Sequence, residues 1–271
     1  MYELDIPVIV NGNENVSRET IYTVNDFPFS SFQTLRECRK RGRKKNSIVY
    51  YDVEMAFDIE TTTLEKLDYE RYNKTGEKVV KGTAFMYQWQ FCIKDTVCFG
   101  RTWNEFLSFC DKLHLYLKTS DNKRAVVYVH NLSYEFQFMK DFIEMDEIFA
   151  RDAHKVMKCF AYKYGIEFRC SYFLSNMSLS KFCENSEGVI HYKIVDMYDY
   201  KKLRTPTTHL TEEEQGYCYN DVRGLCECIQ SLRKEDNLAE IPLTSTGYVR
   251  RELRRAMQAV KNSYSDPLAD L

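Results

Sequence analysis

The sequence predicts a mixed α/β fold, one sheet of parallel and antiparallel strands flanked by helices. The first observation behind this is the order of hydrophobic periodicities. A hairpin is followed by a helix, a strand, a second helix, further strands and a long helix. The second is the compact apolar run Ala125–Val129, which passes directly into a helix start. The third is size and composition: 271 residues, 44% of them apolar, can bury a sizeable core.

Residues 1–50 read as a polar lead-in ending in the basic run Arg36, Arg39, Lys40, Arg41, Arg43, Lys44 and Lys45, either a solvated surface or a phosphate-contacting patch. Residues 51–61 form the first strand, and 64–82, charged and glycine-bearing, a loop or extended hairpin. Thr83 to Ile93 alternates as a strand and turns at Lys94–Asp95 into the short partner Thr96–Gly100. Residues 102–118 carry Trp103, Phe106, Leu107, Phe109, Cys110, Leu113 and Leu117 at helical spacing. After the Ala125–Val129 strand comes a helix from Tyr134 to Met145. Two strands follow around Tyr164–Gly165, then a short helix at Leu179–Cys183 and a strand near Tyr192–Asp196. Residues 211–233 form a long helix capped by Thr211, with Glu212, Glu213 and Glu214 where the helix dipole favours anions. From Ile241 onward a basic helix carries Arg250, Arg251, Arg254 and Arg255. The expected organisation is a polar and basic extension at 1–50, a catalytic-type domain at 51–235, and a basic helix and tail at 236–271.

A net charge of −2 provides no global field for nucleic acid, so any such contact rests on local patches. The ten cysteines include no Cys-x-x-Cys pair, which argues against a zinc knuckle and for reduced, buried thiols in a cytoplasmic protein. No apolar run reaches the roughly eighteen residues of a membrane span, and the N-terminus does not read as a signal peptide.

The residues with the clearest chemistry are Asp58 and Glu60, in Met55-Ala56-Phe57-Asp58-Ile59-Glu60-Thr61-Thr62-Thr63. A strand repeats every two residues, so both carboxylates project from one face. Their repulsion and desolvation are costly unless a cation holds them, and a hard ion such as Mg²⁺ or Mn²⁺ suits oxygen-only ligands. A second motif, His130-Asn131-Leu132-Ser133-Tyr134-Glu135-Phe136, opens a helix at a strand end. Alone, Glu135 reads as a helix-dipole partner. A third, Tyr217-Cys218-Tyr219-Asn220-Asp221, sets a phenol and an acid on one helical face.

In this order the three motifs resemble the proofreading 3′→5′ exonuclease domain of family B DNA polymerases, in its protein-primed, phage-type branch. The tyrosine four residues before Asp221 marks the DEDDy subclass; Gly216 stands where the histidine subclass has His. The resemblance covers roughly residues 51–235 and implies an RNase H-like (DnaQ-like) sheet. It further implies that Asp58, Glu60, Glu135 and Asp221 hold two divalent ions, Mg²⁺ or Mn²⁺. Tyr217 would then position the attacking water, Thr61 contact the terminal nucleotide, and Asn131, Leu132 and Tyr134 meet the single-stranded DNA 3′ end. Ser171 and Tyr172 fall where the family has a Ser/Thr-Leu pair that contacts the strand. Lys202, with Lys201 as its rival, falls near the family's assisting lysine. Glu135 departs from the pattern, because the family carries Asp there.

The implied activity is metal-dependent release of nucleoside 5′-monophosphates from a 3′ end. The polymerase motifs are not found, so the chain reads as a proofreading domain or as a stand-alone relative working beside a separate polymerase subunit. A module that keeps the fold and binds nucleic acid or a partner protein without turnover is the competing expectation.

Overall fold

The computed structural model describes residues 1–41, 47–72, 78–152, 154–192, 198–200, 202–234 and 236–265. The central unit is β5 (Met55–Tyr72), β6 (Lys78–Ile93) and β7 (Thr96–Gly100), an antiparallel meander. On the other side of β5, β8 (Lys123–Val129) and then β11 (Ile166–Cys170) join in parallel. The order β7-β6-β5-β8-β11 is the mixed sheet expected from the sequence. Beyond β11 lie β10 (Val156–Ala161) and β9 (Asp146–Ala150), both antiparallel, and beyond β7 lies the hairpin β1 (Tyr2–Val10) and β2 (Asn13–Tyr22). Two short strands, β3 (Glu37–Cys38) and β4 (Val49–Tyr51), pair with each other, and β4 also pairs with β8.

The helices are α1 (Trp103–Leu117), α2 (Leu132–Met139), α3 (Ser171–Ser175), α4 (Leu179–Glu184), α5 (Glu212–Leu232) and α6 (Ser245–Ser265). Strand alternation divides the interior into two cores. Met55, Phe57 and Ile59 of β5 join Phe91, Phe106, Phe109, Val127 and Phe168 on the face covered by α1. Ala56 joins Cys92, Val126, Tyr128, Val222, Leu225 and Cys226 on the face covered by α5. Phe57 stacks on Phe106 with ring centroids 4.5 Å apart, and truncating a buried ring of this kind to Ala costs about 3–5 kcal/mol. Asp58 and Glu60 share the parity of Ala56, so the same alternation that builds the first core aims both acids at α5.

Helix α5 begins as the sequence predicts. The Thr211 side chain accepts from the Glu214 N–H, and Glu214 reaches back to the Thr211 N–H in a full capping box. Gly224 lets the helix sit close to the preceding segment: a Cβ there would lie 2.2 Å from the His191 carbonyl oxygen. Thr102 caps α1 in the same way.

Four expectations change. Residues 1–50 are not a polar lead-in. Leu4, Ile6 and Val8 are buried beneath α5, Asn220 donates to the Pro7 carbonyl at 2.9 Å, and Phe27, Phe29 and Phe32 pack in the α1-side core. Charged residues between the apolar ones lower the mean hydropathy there but keep the period of two. The first strand is interrupted at 52–54, where Asp52 and Glu54 pair with Arg233. The helix expected to Met145 ends at Met139. Ser171–Ser175 forms a helix that the sequence did not suggest. The long hairpin of β5 and β6 and the basic α6 agree with expectation. The strand expected at Tyr192–Asp196 falls mainly on residues outside those described, as do Arg43, Lys44, Lys45 and Lys201. All ten cysteines are buried free thiols. Among the described residues, no helix is long and apolar enough to cross a membrane.

Candidate active site

The three motifs converge at one point on the α5 face. Asp58 and Glu60 extend from β5, and Asp221 comes down from α5. Carboxylate oxygens of the three lie within 4.8 Å of one another. At an effective dielectric near 20, unit charges that close repel by roughly 3 kcal/mol per pair. Glu60 and Asp221 are buried, which adds a desolvation cost. Three oxygen donors at this spacing suit a hard divalent cation.

Glu135 approaches from the first turn of α2 and is 4% exposed, with its Oε2 buried and without a hydrogen-bond partner. Burial, and then the negative charge of Asp58 beside it, push its carboxyl well above the ordinary range. It therefore stands next to the triad as a fourth acid short of compensation. Its helix starts from Asn131, an exposed residue in the left-handed region at φ 69° whose side chain makes no capping bond.

Tyr217 lies one helical turn before Asp221, as its spacing requires. Its hydroxyl meets that of Tyr200 at 2.5 Å, and its ring lies 4.5 Å from that of Tyr198. Burial, reinforced by the charges of Asp221 and Glu60, drives the phenol pKa far upward, so Tyr217 is a neutral hydroxyl at any physiological pH. At the mouth, Thr61 Oγ1 and Tyr134 hydroxyl are 2.5 Å apart and link β5 to α2. The β5–β6 register shifts immediately after Glu60, with Glu60 opposite Gln88 and Thr61 opposite Met86. The irregularity re-aims the chain between the acids and Thr61.

Three expected site residues are buried or engaged in contacts within the fold. Leu132 is fully buried in the α1-side core, so it has no surface to offer a strand. Ser171 is equally buried, its hydroxyl 3.0 Å from His130 Nδ1, while Tyr172 beside it is exposed, with its ring edge-to-face with His130. Lys202 donates to Glu214 Oε1 at 2.8 Å, an acceptor it shares with Arg204, which holds it at the start of α5.

One contact was not anticipated. Gln90, fully buried on β6 directly opposite Asp58, donates from Nε2 to Asp58 Oδ2 at 2.8 Å and lies 3.3 Å from Glu60 Oε1. A signal was available: Gln88 and Gln90 are two amides on one face of an otherwise apolar strand. The Cys218 thiol reaches Glu60 Oε1 at 3.9 Å.

No family model matches this sequence, and no curated protein matches it. Solved structures do. Phi29 DNA polymerase complexed with primer-template DNA and incoming nucleotides is similar with a TM-score of 0.50 at 16% identity, over 71% of this chain and 32% of that one. The orthorhombic crystal form of the same polymerase gives a TM-score of 0.50 at 15% identity over the same shares. Its binary complex with primer-template DNA gives 0.50 at 17% identity, over 69% and 32%. At these identities the similarity shows the fold, and the chain spans about a third of the polymerase it matches.

Proposed function

We propose that this chain is a metal-dependent 3′→5′ exonuclease that releases nucleoside 5′-monophosphates from single-stranded DNA 3′ ends. The observation that carries the reading is the meeting of Asp58, Glu60 and Asp221 within 4.8 Å, with Glu135 and Tyr217 beside them. The similarity in fold to a third of phi29 DNA polymerase supports it, that third being read as the polymerase's exonuclease part.

Asp58, Glu60 and Asp221 would hold divalent ions, Mg²⁺ or Mn²⁺, with Glu135 completing the set. Such ions, when bound, lower the pKa of water and stabilise the leaving oxygen. The Tyr217 hydroxyl, neutral and held by Tyr200, orients the water whose oxygen bonds to the terminal phosphorus. The bond from that phosphorus to the penultimate 3′ oxygen breaks, and that oxygen leaves as a hydroxyl. Exposed Tyr134 and Tyr172 offer rings on which unpaired bases stack. Polymerisation would belong to a separate domain or subunit.

A second reading, a module that binds without turnover, draws on Glu135: it is longer than the family's Asp, and it lies outside the group of three whose oxygens approach within 4.8 Å of one another. Incubation of a 3′-overhang oligonucleotide with Mg²⁺ or Mn²⁺, followed for mononucleotide release, separates the two. Release that disappears with EDTA and in Asp58→Ala supports the nuclease. Release surviving both removes the assignment, and no release with either metal favours the binding module.

A further inference from the structure

We infer that Gln90 is a positioning residue for the acid cluster: its amide fixes Asp58 and Glu60 in a metal-ready arrangement without supplying a charge of its own. This rests on the nuclease reading above and deepens it. Register places Gln90 directly across from Asp58 on the neighbouring strand, on the face that carries Glu60. One –NH₂ group serves both acids, at 2.8 Å to Asp58 Oδ2 and 3.3 Å to Glu60 Oε1. Two hydrogens on one nitrogen can each hold one carboxylate.

Two features separate this from a glutamine that merely fills space. First, the amide Oε1 is buried without a partner. A side chain selected for packing would be apolar and leave no acceptor stranded, whereas a donor committed to two acids leaves its oxygen wherever the geometry puts it. Second, the residue is neutral. A lysine or arginine in its place would pair with both acids and take the role of the metal, and an acid would add to the repulsion. A neutral donor aligns the carboxylates yet leaves their charge for an incoming cation, as outer-shell groups do at metal centres. Gln88, two residues earlier on β6 and also buried, provides a built-in contrast, because its Nε2 has no hydrogen-bond partner.

The test measures Mn²⁺ affinity by electron paramagnetic resonance titration and thermal stability without metal, in the wild type, Gln90→Met, Gln90→Lys and Gln88→Met. Gln90→Met should weaken Mn²⁺ binding by about tenfold or more, with kcat falling and the KM for a single-stranded oligonucleotide little changed. Gln88→Met should bind Mn²⁺ as the wild type does. Gln90→Lys should raise the metal-free melting temperature and abolish Mn²⁺ binding. A Gln90→Met protein that binds Mn²⁺ like the wild type overturns the positioning role alone, as does an equal loss in Gln88→Met. A wild type that binds no Mn²⁺ overturns the nuclease reading and this inference together. Should Gln90→Met fail to fold, Gln90→Asn withdraws the donor by one methylene, and the same criteria apply.

Discussion

Two buried clusters lie on the same face of the sheet and solve the same electrostatic problem in opposite ways. At β11, the almost fully buried Glu167 accepts from Arg169 Nε at 2.7 Å and Arg124 Nη1 at 3.2 Å, with Lys158 at 3.8 Å. Burial raises its carboxyl pKa, but these cations outweigh burial and hold it below the ordinary range. At β5 and α5, Asp58 accepts from the Gln90 amide, the Cys218 thiol reaches Glu60, and Glu135 beside them is pushed well above the range by burial and the charge of Asp58. The first cluster carries its own compensation and reads as structure. The second brings carboxylate oxygens of three acids together at one point, an arrangement that suits an external cation. Burial of an acid is therefore uninformative by itself; what surrounds it separates scaffold from site.

The largest test of that contrast is a paired substitution. Asp221→Asn should reduce nuclease turnover by about a thousandfold or more, several kcal/mol of transition-state stabilisation. It should also raise the melting temperature of the metal-free protein, because one of three crowded charges is gone. Glu167→Gln should do the reverse, costing about 3–5 kcal/mol of stability by leaving buried cations uncompensated while turnover per folded molecule stays near wild type. Denaturant melts and initial rates on both proteins check the pair. Two destabilised proteins with equal residual activity would erase the distinction.

A smaller effect is expected at Tyr217, which belongs to the site but not to its charge. Tyr217→Phe keeps the ring against Tyr198 and removes only the hydroxyl. Turnover should fall by about a hundredfold with KM nearly unchanged. An unchanged kcat would assign water positioning to another group.

The sequence revealed these regions unequally, for physical reasons. Asp58 and Glu60 were legible because a period of two leaves no choice of face once Phe57 and Ile59 are in the core. Thr211 and Tyr217 were legible because capping and helical spacing are local rules. Gln90 was not read, because its meaning depends on which β6 residue falls opposite Asp58, and register is a property of two strands. The Glu167 cluster was invisible for the same reason: Arg124, Lys158 and Arg169 lie on three different strands. The β1–β2 hairpin was missed because its buried Leu4, Ile6 and Val8 alternate with charged and other exposed residues, so a composition reading saw only polarity. Leu132 and Ser171 stand in motif positions and the fold turns both side chains inward, a burial that depends on packing between elements and so is not readable from the motif alone.

The smallest effect separates the two clusters by pH. The Arg124 guanidinium, with Lys158 nearby, lowers the Glu147 carboxyl from 4.5 to about 2. A depressed folded pKa means that the unfolded chain binds the proton more readily, so this pair stabilises the fold above about pH 4.5 and its contribution is lost as pH falls toward 2. Glu167 is shifted in the same direction. Glu147 is nearly half exposed, which screens its share, so the change is a shallow one. Acid melts between pH 5 and about pH 2 should therefore show a less steep loss of stability in Glu147→Gln than in the wild type. Glu135, beside the acid cluster, is shifted the other way by burial and the charge of Asp58, so it adds nothing to that limb. A wild-type acid limb left unchanged by Glu147→Gln would mean that the Arg124 network is not what holds the β9–β11 edge of the sheet at low pH.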